Sequence, residues 1–87
     1  MRVVWTESAL DEVARIYDYV LQFNPSAATG LVEALLREGD SLMVLPYRGR
    51  PVADNIRELV FVYPYIIRYQ IIDHTVVILR VRHGMRS

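Results

Sequence analysis

Five basic residues, Arg57, Arg80, Arg82, His83 and Arg86, are expected to gather near one end of a sheet. Histidine ordinarily titrates near neutrality and can give or take a proton, and arginine can stabilise charge building on a phosphorus centre. Together they are the minimum equipment for metal-free RNA cleavage, in which a 2′-hydroxyl attacks the adjacent phosphate. The plainer alternative is that His83, followed by Gly84, is a turn residue at the end of a strand. Other chemistries find little support. There is no cysteine for a thiol nucleophile or a thiolate zinc site. His74 and His83 lie in a turn and at a strand end, and no carboxylate pair has ligand spacing, so no metal is expected. Ser8, Ser26, Ser41 and Ser87 lack the context of an activated nucleophile. Asp11, Glu12 and Asp18 read as solvated helix positions, and no glycine-rich loop is present to cradle a phosphate or a cofactor.

The charge is divided along the chain although its sum is zero. Residues 1–40 hold three arginines and seven carboxylates, residues 41–87 seven arginines and three carboxylates, and lysine is absent. A basic half suggests an anionic partner, nucleic acid or an acidic protein segment; acidic helices neutralising a basic sheet within one molecule would give the same pattern. With 53% hydrophobic residues in 87 positions, the composition is that of one small folded domain spanning 1–87. The longest apolar run, Leu59 to Ile67, is broken by Pro64 and is far short of a bilayer span. The opening Met1-Arg2-Val3-Val4-Trp5-Thr6-Glu7 has no apolar signal region, so a cytoplasmic location without membrane association is expected.

The elements that must position these groups follow from periodicity. Arg2 to Trp5 reads as a short strand, and Thr6 as the N-cap of a helix carrying Leu10, Val13, Ala14, Tyr17, Val20 and Leu21 on one face. Asn24-Pro25 ends that helix and Ser26 caps a second, whose apolar stripe runs through Ala28, Leu31, Val32, Leu35, Leu36, Leu42 and Met43. Gly30 and Gly39 are expected to pack closely against the first helix. Leu45 to Pro51 is a loop by its prolines and glycine. Three β-rich runs follow, Ile56 to Val62, Tyr65 to Ile72 and Thr75 to His83, joined closely enough to be antiparallel neighbours.

Strict alternation along the last run puts Val77, Leu79 and Val81 beneath the helices, with Val76, Ile78, Arg80 and Arg82 on the open face. An Asp73-His74-Thr75 turn would set Ile72 opposite Val76 and Arg68 opposite Arg80. Two guanidinium groups so placed repel unless an anion lies between them. Glu58 could supply it if the preceding turn has three residues; with two, Arg57 takes that face instead. A bound phosphate or a partner's carboxylate could also fill the gap. Tyr17, Tyr19, Phe23, Tyr47, Phe61, Tyr63 and Tyr65 are more rings than one small core hides, which favours interfaces.

The stretches Val4-Trp5-Thr6-Glu7-Ser8-Ala9, Ile16-Tyr17-Asp18-Tyr19-Val20, Asn24-Pro25-Ser26-Ala27-Ala28, Leu45-Pro46 and Gly49-Arg50 follow one another in a familiar order. The order continues through Arg57-Glu58-Leu59-Val60, Pro64-Tyr65-Ile66-Ile67-Arg68-Tyr69 and Ile78-Leu79-Arg80-Val81-Arg82-His83-Gly84-Met85-Arg86. In these stretches nearly the whole chain resembles the RelE/ParE toxin superfamily of bacterial type II toxin–antitoxin systems. The resemblance implies an α+β fold of order β-α-α-β-β-β, with the helical hairpin on one face of an antiparallel sheet. It also implies a toxin held in a hetero-oligomer by a cognate antitoxin. RelE-like members are ribosome-dependent mRNA endonucleases, and ParE-like members bind DNA gyrase and trap it on cleaved DNA.

The Asn24-Pro25 junction, Arg57-Glu58-Leu59-Val60 and His83-Gly84-Met85-Arg86 look closer to the ParE branch. The lack of lysine, and Gly84 where related nucleases often place an aromatic, depart from the nuclease pattern. On this resemblance Arg57, Arg80, Arg82, His83 and Arg86 are expected to meet the target, and Arg57, Arg80, Arg82 and His83 would be catalytic in a nuclease. Arg68, Arg80, Tyr17, Phe61 and Tyr65 are expected to meet the antitoxin. A non-toxic interaction module retaining the fold is a third possibility.

Overall fold

The computed structural model describes residues 1–60 and 63–84. Strand β1 (Arg2–Trp5) leads into helices α1 (Glu7–Leu21) and α2 (Pro25–Asp40), and a 3-10 turn (Ser41–Met43) follows. Strands β2 (Arg50–Ala53), β3 (Ile56–Leu59), β4 (Tyr65–Ile72) and β5 (Thr75–His83) complete one mixed sheet of order β1-β5-β4-β3-β2. The first strand lies parallel to β5, and the remaining pairs are antiparallel. The α+β architecture is the expected one, with β2 added from a segment that begins inside the proline-bounded loop. Pro51 is tolerated there because β2 is last in the sheet, where a missing N–H costs no ladder bond.

Local chemistry explains both helix starts. The Thr6 hydroxyl accepts from Ala9 N–H at 3.1 Å and donates to the Ile78 carbonyl at 2.8 Å, so one side chain caps α1 and ties it to β5. At the second start the cap is Asn24, whose side chain accepts from Ala27 N–H, rather than Ser26; Pro25 occupies the first helical position, where its missing N–H is harmless. Gly39 does pack closely, but against Trp5 of β1 and Ile78 of β5 and not against α1, while Gly30 faces open space. Neither glycine therefore serves the helix–helix contact expected of it.

The core is Ala9, Val13, Leu35, Leu42, Leu59, Ile67, Tyr69, Val76, Ile78 and Val81. Its membership corrects the expected pleat. Val76 and Ile78, assigned above to the open face, are fully buried, and Val81 is buried as well. The cause is a β-bulge: Arg68 pairs with Arg80 and Tyr69 with Ile78, leaving Leu79 without a partner and reversing the alternation beyond it. The hairpin turn is also shorter than expected. Asp73 and His74 form it alone, both at positive φ as in a two-residue turn, so Ile72 pairs with Thr75 and not Val76. The shorter turn and the extra bulge residue offset each other, and Arg68 still faces Arg80.

Candidate functional site

The loop after the helices is fastened by a buried tyrosine. Tyr69 of β4 donates its hydroxyl to the Pro46 carbonyl at 2.7 Å and accepts from Gly49 N–H at 2.9 Å. Burial raises its phenol above the ordinary tyrosine value of 10.0, against the opposing pull of Gly49 N–H, Arg57 and Arg48. A side chain at position 49 would collide with the Tyr69 hydroxyl, so glycine is required by close approach. Arg57 clamps the same loop from β3. Its Nη1 donates to the carbonyls of Tyr47 at 3.0 Å and Gly49 at 2.7 Å, and its guanidinium lies 5.1 Å from the Tyr47 ring centroid. Arg48 binds Glu38 at 2.9 Å and the Ser41 hydroxyl at 2.6 Å, tying the loop to the end of α2.

Across the helix-free face runs a row of charged residues in mutual register: Arg50 of β2, Glu58 of β3, Arg68 of β4 and Arg80 of β5. Glu58 faces Arg68, so the register left open by the sequence takes the glutamate form. Its carboxylate is buried, receives two bonds from Arg68 at 2.6 and 2.9 Å, and meets Arg50 at 3.4 Å. Arg80 turns elsewhere. It grips Glu12 of α1 through Nε and Nη2 at 2.8–3.1 Å, and Val81 N–H, beyond the reach of β1, donates to the same carboxylate at 2.8 Å. Burial works to raise the Glu12 carboxyl, but the Arg80 and Val81 bonds, with the charges of Arg80 and Arg15, outweigh it and hold the group below its ordinary 4.5. The same pair raises the Arg80 guanidinium further. Glu12, expected to be a solvated helix position, is therefore a structural anion, and nothing in helical periodicity alone signals that.

A second cluster forms at the far end of β4 and β5. His83 stands opposite Tyr65 with ring centroids 5.4 Å apart, edge to face, and the two join Arg15, Ile16 and Tyr19 of α1 around a cavity of about 200 Å³. Tyr19 stacks edge-on against Phe23, which is 71% exposed, so an aromatic surface extends from the cavity onto the helices. This is the arrangement best suited to a partner: a cation, an imidazole and exposed rings around a concavity.

The structure thus separates the basic residues that the sequence groups. Arg57 pairs with Tyr69 and His83 with Tyr65, four residues apart on β4 and hence about 13 Å along the strand, with the strands also on opposite sides of β4. Arg82 is half-buried beside Ile66, on the helix-free phase of the sheet with Arg68. Of the expected antitoxin contacts, Arg68 and Arg80 are engaged by Glu58 and Glu12, Tyr17 is half-buried on α1, and Tyr65 belongs to the His83 cavity. Phe61 and Arg86, together with Val62 at the expected end of β3, lie outside the described residues. Arg15 and Glu12 are the site residues that sequence reasoning missed, whereas Tyr19 is among the rings expected at an interface. The only signal for Arg15 is that α1 presents it one turn before Tyr19, at i, i+4. Tyr19, Phe23, Tyr47 and Tyr63 are all exposed, in keeping with the excess of rings over core volume. Among the described residues no group of His, Asp or Glu is arranged to hold a metal ion, and no helix is long and apolar enough to cross a membrane.

The chain is a small α+β domain, a mixed sheet backed by a helix pair with a basic and aromatic rim. The family profile described as ParE toxin of the type II toxin–antitoxin system parDE matches residues 3–87, and the chain belongs to that family, within the RelE/ParE superfamily. The chain is 46% identical over 85 residues to "Toxin RelE2" of Caulobacter vibrioides, covering 98% of this chain and 97% of the relative. To "Toxin RelE1" of the same organism it is 32% identical over 76 residues, covering 84% and 82%. The fold matches a chain of the solved "Chromosomal ParDE TA system from P. aeruginosa" with a TM-score of 0.86 at 23% identity, over 95% of both chains. Membership makes the chain a toxin-family protein whose natural counterpart is an antitoxin.

Proposed function

We propose that the chain acts in the cytoplasm as a ParE-like toxin, inhibiting growth by binding and poisoning DNA gyrase until a cognate antitoxin neutralises it in a hetero-oligomer. The observation that supports this reading is the separation of two of the arginines from His83. Arg57 pairs four residues away along β4 and on its other side, and Arg80 turns to Glu12, so neither is grouped with His83 as phosphate cleavage would require. The Arg15–Tyr19–Tyr65–His83 cavity and its aromatic border then serve for contact with a protein. For the antitoxin, Arg68 and Arg80 keep 37% and 51% of their side chains exposed and can exchange their present carboxylates for incoming ones.

A second reading, a RelE-like ribosome-dependent endonuclease, is favoured by the names of the two Caulobacter relatives and by His83 lying in one cavity with Arg15 and two tyrosines. Inducing the chain in a host without the antitoxin tests toxicity itself, and normal growth would leave only a non-toxic module. When growth stops, gyrase supercoiling and cleavage-complex assays run beside a ribosome-programmed mRNA cleavage assay assign the target. Stabilised gyrase cleavage complexes with intact mRNA are expected; cut mRNA with unaffected gyrase overturns the proposal.

A further inference from the structure

A different surface, remote from His83, is formed where loop 44–49 replaces the helices over the outer strands. Here Tyr47, Pro51, Ala53, Ile56, Arg57 and Ile71 border a cavity of about 150 Å³, with the strongly exposed Val44 and Leu45 on the adjoining loop. Arg57 is its only lining cation. Its Nη1 makes both loop bonds, and among the described residues its partners are two carbonyls and the Tyr47 ring, never a carboxylate. The Nε–Nη2 edge, the side of a guanidinium that takes a carboxylate in two parallel bonds, thus has no partner among the described residues, and Arg57 lines a cavity of mixed character in which Asn55 joins the aliphatic groups. Along that cavity runs β2, the last strand of the sheet, whose outer backbone edge has no neighbouring strand among the described residues.

From this combination we infer that the surface binds an extended protein segment carrying a carboxylate next to an aliphatic side chain. The aliphatic group fills the cavity between Ile56, Ile71 and Pro51. The carboxylate caps Arg57, and the segment's backbone runs beside β2, where Pro51 supplies no N–H for pairing. Charge complementarity favours a peptide over nucleic acid: one unmatched cation suits one carboxylate, whereas a phosphate backbone needs several, and Asp54 in the adjoining turn opposes a polyanion. The inference uses none of the His83 residues and does not depend on the identity of the toxin's target.

The test is an NMR titration of the full-length, isotope-labelled chain with the probe peptide acetyl-Thr-Val-Glu-Leu-Thr-amide. The expected shifts fall on Ala53, Ile56, Arg57 and Ile71. Replacing the probe's glutamate by glutamine, or Arg57→Lys, should weaken binding at least about tenfold. Because Arg57 also clamps the loop, Ala53→Phe is the second variant: it fills the cavity, leaves every Arg57 bond in place, and should abolish the shifts while the remaining spectrum stays native. The inference is overturned by absent or displaced shifts, by equal binding of the glutamine probe, or by equal shifts with the oligonucleotide dT6. Concentration-dependent shifts at these residues without peptide would assign the surface to a second copy of the chain and overturn it equally.

Discussion

Arg68 and Arg80 face each other directly across β4 and β5, yet each is neutralised by a carboxylate from a different layer of the fold. Glu58 serves Arg68 from within the sheet, and Glu12 serves Arg80 from α1. Two like charges at one cross-strand position would otherwise repel. Their divergence removes the need for a bound anion at this position, and it makes Arg80 a tie between helix and sheet as well as a surface cation.

The Glu12 tie has a pH signature. Its carboxyl is held below 4.5, so its contribution to stability is complete above that value and is lost as pH falls through the lowered one. Glu12→Gln should cost about 1 kcal/mol near neutrality, mostly through weakened bonds to Arg80 and Val81 N–H. The urea midpoints of wild type and variant should draw together as pH falls below 4.5 and through the lowered value, where the Glu12 carboxyl becomes neutral like the glutamine. A constant gap across that range would remove the ion pair from the stability of the fold.

Within the charged row, burial decides which partner matters. Glu58 is buried against Arg68, whereas Arg50 is 72% exposed and meets Glu58 at only 3.4 Å. Glu58→Gln should therefore destabilise by about 2 kcal/mol, discounted from a fully buried pair because Arg68 is partly solvated. Arg50→Gln should stay within about 0.5 kcal/mol. Urea denaturation of the two variants at low and high salt checks the order.

Much of this arrangement is legible in the residue pattern and some is not. Thr6 as a cap, both helices, and the full extents of β4 and β5 follow from periodicity and turn chemistry, because each is fixed by near neighbours. The bulge at Leu79 is invisible, since unbroken alternation favours the wholly apolar Val77-Leu79-Val81 face and nothing in the pattern marks where the pleat reverses. The scattering of Arg57 and His83 is hidden for the same reason: proximity in sequence register depends on where β3 begins to pair. Glu12 could not be separated from Asp11 or Asp18 before the end of β1 was known to leave Val81 N–H without a strand.

Tyr69 links burial to alkaline pH. Its phenol is raised above 10.0, so the stability it provides is fully present below that value and is lost as pH rises through the raised one. Tyr69→Phe strands Gly49 N–H and the Pro46 carbonyl and should cost about 1–3 kcal/mol at neutral pH. The variant should also lose this residue's share of the alkaline destabilisation, measured by urea unfolding between neutral pH and about pH 11.

The two helical glycines should respond with opposite signs to the same substitution. Nothing lies within 4 Å of a methyl group at position 30, so Gly30→Ala should stabilise by about 0.5–1 kcal/mol through helix propensity. At position 39 the methyl meets the Trp5 ring and Ile78 within the packed layer, and Gly39→Ala should destabilise by about 1–3 kcal/mol despite the better propensity. Thermal unfolding of both variants, compared at equal concentration, reads the difference.

At the His83 cavity the two target readings diverge over one side chain. A proton-transferring imidazole contributes about 10²–10⁴ in rate, and glutamine cannot replace it although it keeps much of the size and polarity. If the cavity works by contact, as the gyrase reading holds, His83→Gln should retain growth arrest and gyrase cleavage complexes, with affinity lowered only a few-fold. Arg15→Glu, which reverses the cavity's cation, should then be the more damaging change. Tyr65 and Tyr19 still border the cavity in either variant, so each can be checked for a native spectrum before its activity is compared. Loss of growth arrest by His83→Gln together with loss of ribosome-programmed mRNA cleavage would transfer the site to the nuclease reading, with His83 as the group that moves the proton.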